Sequence, residues 1–305
     1  MTFSFRQIRY FLAAASCGQL SQAANELNVS QSAITTAIKL LESELETKLF
    51  VRSSTGVLLT PEGENFLRHA RDILASVEAG VQSTRHALRA ESGVVRVGMT
   101  SSIAGYFMIP ILSRFHRVYP EIEVILEEGS RDSIFSSVAN GSLDLGILLM
   151  PKKAPNEAVA ATVLHHWPRR LWLPSNHPLL TVEKIDLSDV AKLPYIALTL
   201  DDAWNHALRY WELMPSRPEP IYKTDSIEAV RNMIGAGMGV TILSDMLYRR
   251  WSLEGHRVEL RDLETKIPPL DIGYIISKNR ETPAAARVFT AYLQRASSSP
   301  TYRST

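Results

Sequence analysis

The chain holds one cysteine, Cys17, in 305 residues, so neither an internal disulfide nor a thiolate metal cluster is open to it. A lone cysteine on the opening helix is expected to be packing, since Cys is among the residues most often simply buried. Long hydrophobic runs are also missing. No stretch approaches the ~18 apolar residues of a membrane span, and the opening MTFSFRQIRYF has no signal-peptide pattern. The expected compartment is therefore the cytoplasm, with no membrane partner. Excess charge is absent as well, with 33 Lys and Arg against 32 Asp and Glu, a net of +1. Nothing global marks a nucleic-acid binder, so any such function must rest on a local motif.

Signatures of catalysis are equally scarce. There is no nucleophile elbow, no His-Glu-x-x-His and no paired carboxylates in a convincing setting. His165 and His166 are adjacent and so point different ways, which argues against a metal site. The run Gly235-Ala236-Gly237-Met238-Gly239 follows a helical pattern and precedes a strand, the reverse of dinucleotide order, and reads as a helix stop and turn. Neither an enzyme nor a bound cofactor or metal is expected. At 45 % hydrophobic content, 305 residues can bury more than one core, so two or three domains are expected.

What is present is concentrated in residues 21–42, SQAANELNVSQSAITTAIKLLE, which read as two short helices joined by a tight turn. Ala24 supplies the small residue where the helices cross, and Asn28 sits where the turn needs a positive φ. Ser30 caps the second helix, and Ile34, Ile38 and Leu41 form its buried stripe. Left outside are Gln31, Ser32, Thr35, Thr36 and Lys39, short donors and acceptors near a helix N-terminus, as a recognition helix in a major groove requires. Upstream, Ile8, Phe11, Leu12 and Ala15 form the stripe of a supporting helix ending at Gly18. Downstream, 49–52 and 56–59 flank a polar tip and read as a two-stranded wing whose one cation, Arg52, would hold phosphate. The polar face of 31–39 disfavours the rival reading, an α/β enzyme or binding protein whose N-terminal helices serve only assembly.

These residues resemble the LysR-type transcriptional regulators of bacteria. Arg6-Gln7-Ile8-Arg9-Tyr10-Phe11 is similar to that family's opening helix, Ser21-Gln22-Ala23-Ala24 and Val29-Ser30-Gln31-Ser32-Ala33-Ile34 to its DNA-binding pair, Leu49-Phe50-Val51-Arg52 to its wing, and Leu59-Thr60-Pro61-Glu62-Gly63 to its exit. The resemblance implies a regulator that binds promoter or operator DNA as a homodimer or tetramer, and meets RNA polymerase if it activates. The chain departs from the family in charge: Thr36 and Ser53-Ser54-Thr55-Gly56 stand where basic residues are common. Residues 1–60 hold five Lys and Arg against four Glu, a net of +1. Dimerisation and base contacts must then carry more of the affinity than phosphate does.

From Thr60 the pattern changes. A cap, Pro61 at the first helical position, and Phe66, Ala70, Ile73, Val77, Val81 and Leu88 at intervals of three, four and seven predict one long amphipathic helix over 61–90. It is too long for a 60-residue domain, and its seam is expected to pair with a second chain. The resemblance gives it the same role.

Beyond 92–93, strands and helices alternate. Strands are predicted at 94–99, 122–127 and 145–150, with helices at 103–119 and 133–140. A second set follows, ending in a strand at 271–277 and a helix at 282–295. That order predicts a mostly parallel sheet covered by helices. The expected architecture is a winged helix-turn-helix domain (1–60), a linker and dimerisation helix (61–90) and an α/β effector-binding domain (91–305). The last divides into subdomain I, about 93–162 with 268–305, and subdomain II, about 163–267, crossed near His165 and Lys266. The resemblance implies the periplasmic-binding-protein-like fold.

Such a pair of lobes leaves a cleft at the strand ends. Thr100-Ser101-Ser102 follows the first strand and opens a helix, an arrangement suited to an anion. Gly129-Ser130 ends the second strand, and the resemblance makes Ser102 and Ser130 effector-contacting positions. Across the cleft lie Thr199-Leu200-Asp201 and, behind them, Thr241. With no Lys or Arg within 100–102, a small carboxylate held by hydroxyls and backbone N–H groups at micromolar strength is expected. An acid opposite would favour an amino acid or an aromatic hydroxy acid.

Overall fold

The computed structural model describes residues 3–53, 56–86, 92–150, 158–212 and 214–298. These fall into two compact units, one within Met1–Ser92, Leu112–Ile122 and Gln294–Thr305, the other within Gly93–Ile111 and Glu123–Leu293.

In the first unit α1 (Phe5–Cys17) starts at a capping box between Ser4 and Gln7 and stops at Gly18, whose φ of 64° ends the helix. Ala23 and Ala24 of α2 (Leu20–Glu26) are sealed among Ala14, Ile34 and Ile38, where nothing larger than a methyl would let the helices meet. Asn28 takes the expected positive φ, 52°. The helix α3 (Gln31–Glu44) follows, capped by Ser30, whose Oγ accepts from the Ala33 N–H at 3.2 Å. Strands β1 (Phe50–Ser53) and β2 (Gly56–Leu59) form the antiparallel wing, with Arg52 opposite Val57. The Val57 N–H donates to the Gly18 carbonyl at 2.8 Å. A Cβ on Gly56 would lie 2.1 Å from that same oxygen, so only glycine lets the wing sit there.

The helix α4 (Pro61–His86) has 26 residues, about 39 Å of length. Its first turns belong to the core of its own domain: Leu67 and Ala70 are buried against Ile8, Phe11, Leu41 and Leu49, with Phe66, Ile73 and Leu74 packed around them. The expected intermolecular seam is corrected accordingly. Phe66, Ala70 and Ile73 face inward, Val77 is the first clearly exposed seam residue, the Val81 side chain is not described, and Leu88 lies outside the described residues.

The second part of the chain runs β3 (Gly93–Met99), α5 (Ser101–Ile103), a π-helical turn (Ala104–Met108), α6 (Ile109–Val118), β4 (Ile122–Glu128), α7 (Arg131–Asn140), β5 (Leu145–Leu149) and β6 (Val159–Trp167). It continues with β7 (Arg169–Pro174), α8 (Leu187–Val190), β8 (Tyr195–Leu198), α9 (Ala203–Trp211), β9 (Pro220–Thr224), α10 (Ile227–Gly235), β10 (Thr241–Ser244), β11 (Val258–Arg261), β12 (Leu270–Ser277) and α11 (Ala284–Ser298). The first sheet has the order β4-β3-β5-β12-β6. In the second lobe β10-β7-β11 form one sheet and β8-β9 another, joined by a parallel bridge between Tyr195 and Val240. Read across that bridge, the order β9-β8-β10-β7-β11 repeats the first lobe.

The sheets are mixed rather than mostly parallel: β12 runs antiparallel to β5 and β6, as β7 does to β10 and β11. In each lobe the antiparallel strand follows a passage between lobes, so no βαβ crossover fixes its direction. The first passage is at Pro168 rather than His165, because β6 stays paired with β12 as far as Trp167. The second falls between β11 and β12, around Lys266.

Candidate nucleic-acid interface and effector cleft

On α3 the stripe of Ile34, Ala37, Ile38 and Leu41 is buried, which turns Gln31, Ser32, Thr36 and Lys39 outward. Two of the expected base readers have other engagements. Ser30 is the helix cap and shares a hydrogen bond with the Ser32 hydroxyl at 3.0 Å, and half-buried Thr35 donates to the Gln31 carbonyl at 2.9 Å. Side chains that reach outward with polar ends are thus Gln31, Thr36 and Lys39, with Arg52 exposed on the wing.

Glu42 was not singled out by its sequence pattern, yet it fixes the geometry between α3 and the wing. It is 7 % exposed; its Oε1 accepts from the Leu49 and Phe50 N–H groups at 2.9 and 3.2 Å, and its Oε2 from Lys48 Nζ at 2.8 Å. Burial pushes its carboxyl upward, but these hydrogen bonds outweigh it and hold the pKa below the ordinary 4.5. Lys48 is consequently tied to an acid rather than offered to phosphate.

In the α/β lobes Thr100, Ser130, Thr199 and Asp201 line a cavity of about 250 Å³. With them are Arg131, Leu148, Leu149, Asp202 and His206. Ser102 and Leu200 line a neighbouring void of about 30 Å³ with Arg169, Tyr210, Ser244 and apolar side chains. The remaining expected residues lie elsewhere. Ser101 is exposed, and its hydroxyl donates to Glu128 Oε2 at 3.0 Å. Thr241 is buried in β10 opposite Trp172.

The expectation of a site without cations is corrected by Arg131, whose Nη2 is buried with no hydrogen-bond partner among the described residues. Its signal was readable as the residue after Ser130. Thr100 Oγ1, on a residue 3 % exposed, is likewise unpartnered. Deeper in, Arg169 donates to the Pro268 carbonyl at 3.2 Å and stands 5.9 Å from the Tyr210 ring centroid; burial pulls its pKa down. His206 is pushed down to about 4, first by burial and then by the guanidinium groups of Arg131, Arg209 and Arg169. Burial is the larger cause, the guanidinium groups add to it, and Asp202 pulls the other way.

Ties between the lobes converge on the helical run that begins at Ser101. Asp201 Oδ2 accepts from the Ser102 N–H at 3.0 Å and from the Ser102 hydroxyl. On the π-helical turn, the Tyr106 hydroxyl donates to Glu228 Oε1 at 3.3 Å, and the Arg249 guanidinium lies 5.3 Å from the Tyr106 ring. Asp201 and Asp202 both take left-handed conformations, with φ of 50° and 60°, each costing on the order of 1 kcal/mol for a residue with a Cβ.

A winged helix-turn-helix followed by two repeated α/β lobes around a cavity defines a DNA-binding protein that carries a small-molecule sensor. Comparison with known proteins agrees. The family model for the bacterial regulatory helix-turn-helix protein of the lysR family matches residues 5–64, and that for the LysR substrate binding domain matches residues 89–298. The HTH-type transcriptional regulator AlsR of Bacillus subtilis is 28 % identical over 82 % of this chain and 83 % of its own. The transcriptional dual regulator GltC of the same organism is 28 % identical over 94 % and 95 %. The crystal structure of HinK, a LysR family transcriptional regulator from Pseudomonas aeruginosa, aligns with a TM-score of 0.63 at 23 % identity, covering 97 % of this chain and 98 % of that one. The chain belongs to the LysR family of transcriptional regulators, with a DNA-binding helix-turn-helix and an effector-binding domain. Members of this family bind DNA and act as oligomers; they are regulators rather than enzymes. No helix among the described residues is long and apolar enough to cross a membrane.

Proposed function

We propose that this regulator senses a small carboxylate held between the two lobes of its effector-binding domain and alters the geometry of its operator complex in response. The division is 1–60 for DNA binding, 61–90 for linkage and dimerisation, and 91–305 for effector binding. The observation that carries the reading is that Thr100, Ser130, Arg131 and Thr199 line one cavity of about 250 Å³. Hydroxyl donors and one guanidinium fit a single carboxylate, and Leu148 and Leu149 supply the apolar wall for its carbon skeleton. Gln31, Thr36 and Lys39 read bases, while Arg52 holds phosphate. The protein works in the cytoplasm, as a homodimer or tetramer, and contacts RNA polymerase where it activates. An effector shifts such a system only by its difference in affinity for two arrangements, typically about 1–3 kcal/mol.

The test is calorimetry of the full-length chain with acetate, benzoate, salicylate and glutamate. The acid that binds should bind about tenfold or more weakly to Arg131→Gln, because a charge-assisted hydrogen bond is lost. Unchanged affinity in Arg131→Gln and in Ser130→Ala would move the site elsewhere.

A further inference from the structure

We infer that Asp201 is an internal stand-in for the effector's carboxylate: it occupies the Ser102 donors that the ligand takes over, so that binding releases a tie between the lobes. The inference rests on the carboxylate reading above and adds to it how an empty sensor is held.

Ser102 is 3 % exposed, and its N–H and hydroxyl both end on one oxygen, Asp201 Oδ2. Two donors converging on a single oxygen form a receptor for an anionic oxygen, and in a buried place they must not be left unserved. That oxygen comes from the opposite lobe, across 99 residues of sequence. Thr100 Oγ1 and Arg131 Nη2 are buried and without a hydrogen-bond partner among the described residues. Thr100, Arg131 and Asp201 line the same cavity. A guest carboxylate has two oxygens. One can replace Asp201 on Ser102, and the other can turn toward Thr100 and Arg131 in the wall of the cavity that Asp201 also lines. The guest therefore satisfies more of the receptor than the protein's own acid does, which lets it compete with an intramolecular rival.

The backbone is consistent with a held rather than relaxed acid, since Asp201 and Asp202 are successive left-handed residues. Once displaced, the Asp201 carboxylate is free to turn toward solvent and the 199–202 segment to relax. A neutral ligand lacks the charge to displace it, and a purely cationic one would pair with Asp201 and tighten the tie. The device thus selects an anion by exchange of like for like.

The experiment uses the full-length chain with Asp201→Ala, and with Asp201→Asn, which keeps the size and tolerates the left-handed backbone should the alanine variant fold poorly. Acetate and benzoate are titrated against acetamide and benzamide at constant ionic strength, read by calorimetry and by thermal unfolding. Removing the internal rival should tighten acetate or benzoate binding by about tenfold. It should also lower the midpoint of unfolding in a way that acetate restores and acetamide does not. Adding Ser102→Ala should weaken that rescue, because one of the two Ser102 donors is lost. Rescue undiminished without the Ser102 hydroxyl overturns the stand-in, as does an Asp201 variant no more responsive to carboxylates than the parent. If the parent binds benzoate in an Arg131-dependent way while the Asp201 variants match it, the stand-in falls and the carboxylate reading survives. If no acid binds the parent or any variant, both fall.

Discussion

Glu42 places a buried negative charge in a domain whose partner is a polyanion, and it is tolerated because Lys48 and two backbone N–H groups neutralise it. Glu42→Ala strands the Leu49 and Phe50 amides and should cost about 2–4 kcal/mol in denaturant unfolding of the DNA-binding domain. Its pKa is lowered in the folded state, so its contribution is fully present above about pH 4.5 and is lost as pH falls through the folded value. A Glu42→Gln variant should show a flatter loss of stability in that acid range. His206 works in the other window. Its imidazole resists protonation until about pH 4, whereas the unfolded chain takes the proton near 6.5, so stability should decline as pH drops between those values. His206→Gln should remove that component of a pH-dependent melting series; an unchanged profile would refute the assignment. On α3, Gln31→Ala should lose about 1–3 kcal/mol at the specific operator and little on random DNA, while Arg52→Ala weakens both and flattens the salt slope by about one. Equal losses on both DNAs for Gln31→Ala would remove it from base reading. At this scale Asn28 was legible because a positive φ narrows the choice of residue. Glu42 was not, since its burial depends on where the wing folds back.

The long helix α4 divides at the level of the element into an inward half and an outward half. Periodicity announced one seam from Phe66 onward, because a continuous stripe cannot say which neighbour covers it. The structure spends Leu67 and Ala70 on the domain's own core, and the exposed stripe begins at Val77. A dimer variant at Ile73 would therefore mix loss of folding with loss of pairing. Val77→Asp should give monomers in sedimentation equilibrium and loss of operator affinity, with the unfolding midpoint of the helix-turn-helix domain little changed. A Val77→Asp protein that stays dimeric would contradict pairing through this helix. Similarly, the π-helical turn at Ala104–Met108 was read as uninterrupted helix, since an inserted residue leaves no mark on a short apolar pattern. Its consequence is the placement of Tyr106 against Glu228 and Arg249.

Over the whole molecule, alternating strands and helices made two α/β lobes legible, and the local spacing made the helix-turn-helix legible. The direction of β7 and β12 was not, because it follows from the passages between lobes rather than from any residue pattern. Nor could sequence bring Arg131 and His206 to one cavity, since they stand on helices 75 residues apart in the chain. These long-range placements decide the sensor's chemistry. They lead to the central claim that a carboxylate between the lobes changes how the protein sits on DNA. The most direct measurement is the footprint and bend of operator DNA bound by the full-length protein, with and without whichever of acetate, benzoate, salicylate and glutamate binds it. A bound carboxylate should change the footprint or bend in a way that disappears in Arg131→Gln, with the oligomer intact throughout. A footprint and bend indifferent to the bound acid, or a response that survives Arg131→Gln, would contradict it.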